Sequence, residues 1–129
     1  MPLARIETCR AWPPEQVQAL MDAVYQSFRE ALKVPEGDRD IRYVEHKPEH
    51  WATPTRRSEN ATLVEVTMFP GRSLDAKRAL YAAIIRRFEG LGIAPSDVMI
   101  VLHEPLLDNW GLRGGTPASE LDLGFNLKV

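Results

Sequence analysis

The chemistry open to this sequence starts at its second residue. The chain begins Met1-Pro2-Leu3. A small second residue favours removal of the initiator methionine, which would leave Pro2 as a free secondary amine at the start of a strand. An α-amino group titrates near pH ~7.7–8.0, and burial or a nearby cation lowers that value by disfavouring the charged form. Such an amine can take a proton from a carbon beside a carbonyl and return it elsewhere. Arg72 follows the turn Pro70-Gly71 and precedes a predicted helix. A guanidinium there can clamp a carboxylate bidentately while helix N–H groups help; the plainer reading is a surface arginine. Asp38, in a loop, can orient a water or accept a proton, or simply turn the chain.

The other reactive side chains point away from chemistry. His46, His50 and His103 are the only histidines, and no carboxylate or thiol stands at a matching spacing, so no metal site is expected. The single Cys9 cannot form an internal disulfide; it reads as a packing residue and suits a reducing compartment. No phosphate-binding glycine loop, His-Glu-x-x-His, Cys-x-x-Cys or Gly-x-Ser-x-Gly elbow is present. Gly114-Gly115 lacks the strand and helix that flank a phosphate loop.

The elements that position these residues occur twice. Leu3–Glu7 alternates as a strand. After Trp12-Pro13-Pro14, the residues Val17, Leu20, Met21, Val24, Phe28 and Ala31 recur at helical spacing. Val34-Pro35-Glu36-Gly37 ends that helix, and Ile41–Glu45 reads as a second strand. About sixty residues on, Thr62–Phe69 alternates as a strand. Ser73 is a candidate N-cap with Asp75 in the first turn, and Ala76, Leu80, Ala83, Ile84, Phe88 and Leu91 line one helix face. Gly90 and Gly92 stop the helix, and Val98–Leu102 is a nearly all-apolar strand. Leu20, Ala23 and Phe28 fall opposite Leu80, Ala83 and Phe88, and Trp51 opposite Trp110.

This is a duplicated β-α-β unit (α/β, α+β), with halves at about 2–51 and 61–110 and a tail at 111–129. Each unit has parallel strands joined by a right-handed helical crossover. The expectation is one domain, with a four-stranded sheet and two helices on one face. The other face is apolar too and lacks a cover, which points to oligomerisation. The tail, through Leu121-Asp122-Leu123-Gly124-Phe125, could reach a neighbouring subunit or fold back on its own sheet.

At 129 residues there is room for one core. Sixteen basic against eighteen acidic residues give a net charge of −2, which favours neither nucleic acid nor an anionic membrane. No apolar run approaches the ~20 residues of a membrane span, and the amino end lacks a signal pattern, so a cytoplasmic location is expected.

Pro2 at the first strand, the duplicated halves and Arg72 after the third strand together resemble the tautomerase superfamily. The longer, fused members, which include malonate semialdehyde decarboxylase, are the most similar. The segments that carry the resemblance are Met1-Pro2-Leu3, Val34-Pro35-Glu36-Gly37-Asp38-Arg39, Gly71-Arg72-Ser73-Leu74-Asp75-Ala76-Lys77 and Asp108-Asn109-Trp110-Gly111.

The resemblance implies a trimer of β-α-β-β-α-β subunits, a small carboxylate substrate and no cofactor. It implies a catalytic Pro2 and a catalytic, carboxylate-binding Arg72, an auxiliary Asp38, and Trp110 in the substrate pocket, with Leu112 and Arg113 beside it as further candidate substrate-binding residues. Pro70 and Leu112 depart from the decarboxylase pattern, which has an arginine and an aromatic there. Arg113 could restore the missing charge from another direction. With one guanidinium lost, proton transfer by a basic Pro2, and so tautomerisation, is expected ahead of decarboxylation, hydration or dehalogenation by a cationic one. A non-catalytic trimeric binding module is the reading from a different class.

Overall fold

Residues 2–122 are described by the computed structural model; Leu123, Gly124 and Phe125 of the predicted tail segment lie outside the described residues. The first unit is β1 (Pro2–Thr8), α1 (Pro14–Leu32) and β2 (Ile41–Glu45). The second is β3 (Thr62–Met68), α2 (Leu74–Gly90) and β4 (Val98–His103). Two prolines enter α1, Pro13 at the cap and Pro14 in the first turn, where a missing N–H costs nothing. Lys33 ends it in the left-handed conformation, at φ 56°. Ser73 caps α2, its hydroxyl accepting from the Ala76 N–H at 3.1 Å.

The strands form one sheet in the order β2-β1-β3-β4. Each unit is internally parallel, and β1 meets β3 antiparallel. The register preserves the duplication. Ala4 faces Val66 and Ile6 faces Val64, pairs that exchange when each residue is replaced by its counterpart in the other half. Ala4 pairs with Ile41 and Val64 with Ile100, so counterparts in β2 and β4 lie one residue closer in sequence than those in β1 and β3.

Alternation along the strands sorts the two faces. Ala4, Ile6, Val64, Val66 and Met68 meet Leu20, Val24, Phe28, Leu80, Ile84 and Phe88 in one core beneath both helices. Every one of these is at most 1% exposed, and burying each of the side chains larger than alanine contributes about 1.5–3 kcal/mol. The opposite face carries Leu3, Leu63, Met99 and Val101, as the alternation predicts. It also carries a line of charge that the sequence did not announce. Arg5 bonds Glu7 at 3.1 Å and its cross-strand partner Glu65. His46 Nε2 lies 2.7 Å from Glu7, and His103 Nε2 lies 3.5 Å from Glu65.

The start of the tail folds on its own subunit. β5 (Gly111–Leu112) and β6 (Thr116–Pro117) form a small antiparallel hairpin. Arg113, Gly114 and Gly115 turn it with φ values of 48°, 85° and 107°, so the glycine pair supplies left-handed backbone for a turn.

Candidate active site

Three of the residues singled out for chemistry converge on one end of the sheet. Pro2 is buried at the start of β1, opposite Met68 at the end of β3. The loop before β2 is stitched to β1 beside it, since the Ala4 N–H donates to the Asp40 carbonyl at 2.9 Å. That loop is held from the other side by Tyr25 of α1. Its hydroxyl accepts from the Gly37 N–H at 2.8 Å, and Arg39 stacks 5.0 Å above its ring. Asp38 therefore sits in an anchored turn, its own N–H donating to the Pro35 carbonyl at 3.2 Å. The anchor Tyr25 falls outside the helical stripe read from the sequence, because its partner is a loop backbone and not the core.

Arg72 enters the same end from β3, after Gly71 at φ 118°. It is only 8% exposed. Its Nη1 donates to the Leu32 carbonyl at 2.6 Å, one of the unpaired carbonyls at the negative end of α1. No carboxylate among the described residues lies within ion-pair distance of it. Burial pulls the guanidinium below its ordinary pKa, yet an arginine remains a cation at neutral pH. The site thus contains a nearly buried positive charge whose remaining N–H donors suit an incoming anion.

Trp110 is placed more as support than as a reaching side chain. It is 8% exposed, its Nε1 donates to the Pro105 carbonyl at 3.1 Å, and its ring meets Phe69 edge-on at 4.7 Å. Leu3, Leu107, Leu112 and Ala118 close this satellite cluster. Leu112 is half-buried there, whereas Arg113 is exposed at the hairpin tip. Phe69 reads in the sequence as the last residue of the alternating strand; β3 ends one residue before it, at Met68, and its packing on Trp110 depends on a contact that periodicity does not mark. Lys77 of α2 bonds Glu104 at 2.6 Å, tying the segment after β4 to the helix that Ser73 caps. Among the described residues no group of three or more His, Cys, Asp or Glu could hold a metal ion. No described helix is long and apolar enough to cross a membrane.

The family model for tautomerase enzymes, Tautomerase_2, matches residues 38–113, more than half of the chain and all of the candidate residues except Pro2. The chain belongs to the tautomerase family. A curated relative, the probable tautomerase YusQ of Bacillus subtilis (strain 168), is 29% identical over 122 residues, covering 89% of this chain and 95% of its own. Among solved structures, the FG41 malonate semialdehyde decarboxylase inhibited by 3-bromopropiolate is 28% identical with a TM-score of 0.80, covering 89% of this tautomerase-family chain and 92% of its own. A fused 4-OT solved as a symmetric trimer shares the fold at a TM-score of 0.81 and 21% identity, over 91% and 96% of the two chains.

Proposed function

We propose that this protein is a cofactor-independent tautomerase that interconverts keto and enol forms of a small 2-oxo acid, with Pro2 as the proton carrier. The observation that carries the reading is the nearly buried cation of Arg72, whose one bond among the described residues is to a backbone carbonyl, at the end of the sheet where Pro2 opens β1. Removal of Met1 frees the Pro2 amine, and burial at the same end of the sheet as the Arg72 cation favours its neutral form. The amine takes a proton from C3 of the substrate, the C–H electron pair becomes the C2–C3 double bond, and charge moves to the C2 oxygen. Arg72 holds the carboxylate and stabilises the developing enolate; water protonates that oxygen to give the enol, and Pro2 returns its proton to the hydroxide left behind. Asp38 orients the water, Trp110 and Leu112 back the apolar wall, and Arg113 supplies charge at the rim.

The assembly in this reading is a homotrimer, supported by the fused 4-OT trimer and by the helix-free sheet face with Leu63, Met99 and Val101. The lone, buried Cys9 suits the reducing cytoplasm.

Ultraviolet-monitored ketonisation of phenylenolpyruvate tests the proposal. The native chain should be active, and both Pro2→Ala and Arg72→Ala should lose activity. Equal activity in all three would overturn it, as would a mass spectrum in which Met1 is retained. Decarboxylation of a three-carbon acid is the second reading, favoured by the similarity to malonate semialdehyde decarboxylase and by the anchored Asp38 loop. Carbon dioxide release from malonate semialdehyde in place of ketonisation would select it.

A further inference from the structure

The end of the sheet opposite Pro2 contains a cavity of about 320 Å³, lined by Cys9, Arg10, Trp51, Arg57 and Glu59 together with Pro48, Thr53 and Ser58. The duplication explains why it is there. Cys9 is the counterpart of Phe69, and Trp51 of Trp110. In the second unit the Phe69 ring covers Trp110 at 4.7 Å. In the first unit the small Cys9 leaves Trp51 uncovered, and that ring turns edge-on to His46 at 5.4 Å instead.

The walls of this cavity are built. Asp97, the counterpart of Asp38, is 4% exposed and accepts from the Ser58 N–H at 2.7 Å and from its hydroxyl at 2.6 Å. Arg10 stacks 4.1 Å over Trp12, donates to Asn60 at 2.9 Å and lies 3.7 Å from Glu59. Arg57 differs: its backbone N–H is fixed to the Pro54 carbonyl at 3.0 Å, but no carboxylate among the described residues lies within ion-pair distance of its guanidinium. Thr62 stands where Pro2 stands in the first unit, its nitrogen locked in a peptide bond and its hydroxyl donating to the Asn60 carbonyl at 2.8 Å.

We infer that this cavity is a second pocket for a small carboxylate, one that binds without catalysing. Arg57 takes the carboxylate, Arg10 adds a second positive charge partly offset by Glu59, and the short carbon body lies against Trp51 and Pro48. The volume falls at the lower end of the ~300–1,000 Å³ typical of small-molecule pockets. Nothing in this assignment requires Pro2, so it stands or falls separately from the proposed catalysis.

The test is fluorine NMR of the full chain labelled with 5-fluorotryptophan, with the Trp51 signal identified by its loss in Trp51→Phe. Titration with pyruvate should shift that signal saturably, and equally so in Pro2→Ala. Chloride at matched ionic strength should leave it in place. Arg57→Gln should weaken the binding by at least about tenfold without changing ketonisation by the native Pro2 site. Cys9→Phe should abolish the shift by filling the cavity; if that variant does not fold, Arg57→Gln decides alone. A Trp51 signal that does not move or does not saturate overturns the inference. A response to chloride equal to that of pyruvate, or one undiminished in Arg57→Gln, does the same.

Discussion

The two ends of the sheet are built from the same parts and finished differently. At one end Phe69 fills the space over Trp110, Pro2 begins a strand, and Arg72 is tied to α1. At the other, Cys9 leaves a cavity beside Trp51, Thr62 continues a chain already under way, and Trp12 occupies the place of Arg72. The helix-facing residues between them stay matched, with Leu20 against Leu80 and Phe28 against Phe88 all fully buried. A duplicated unit cannot change its packing without disturbing a shared core. Its strand ends meet loops and solvent, so there the copies diverge, and with them the chemistry.

That contrast can be broken most severely at Pro2. Pro2→Ala should cut ketonisation by about 10²–10⁴-fold, the range for losing a positioned acid–base, whereas Thr62→Ala should leave the rate nearly unchanged; kcat/KM for both variants measures this. Phe69→Ala should destabilise the fold by about 3–5 kcal/mol in urea unfolding, while Cys9→Ala, at its already open counterpart, should cost well under that. Asp97→Ala should cost about 1–3 kcal/mol by the same method, because two donors of Ser58 lose their acceptor.

The smallest effect concerns acid stability. Burial pushes the Glu65 carboxyl up, but its bonds to Arg5 and His103 prevail and hold it below its ordinary value of 4.5. A carboxyl depressed in the folded state adds stability above its unfolded pKa and loses it as pH falls through the folded one. Unfolding measured from pH 6 down to pH 3 should therefore fall less steeply in Glu65→Gln than in the native chain.

Much of this organisation was legible before the structure. Both helices and all four main strands follow from periodicity, because one apolar stripe or one alternating face must meet the core. The strand limits shifted by a residue in places, β1 starting at Pro2, β3 ending at Met68 instead of Phe69 and β4 ending at His103, since pairing with a neighbour and not composition sets a strand's limits. What stayed hidden depends on register. Arg5 and Glu65 are sixty residues apart and become partners only once β1 and β3 align. Arg72 could be singled out by its place after a turn, but its bond to Leu32 depends on where α1 ends in space. Trp110 and Arg113 look similarly available in the sequence, yet one is packed and the other exposed.

The acceptor that holds Arg72 has a consequence for how this protein can vary. A guanidinium anchored by a side-chain carboxylate can be released by a single substitution of that carboxylate. Here the anchor is the Leu32 carbonyl, part of the main chain and present whatever residue occupies position 32. A substitution of Leu32 that leaves the helix and its core face intact does not remove it. An inserted or deleted residue near Lys33 would carry it out of reach, so this helix end tolerates changes of letter and resists changes of length.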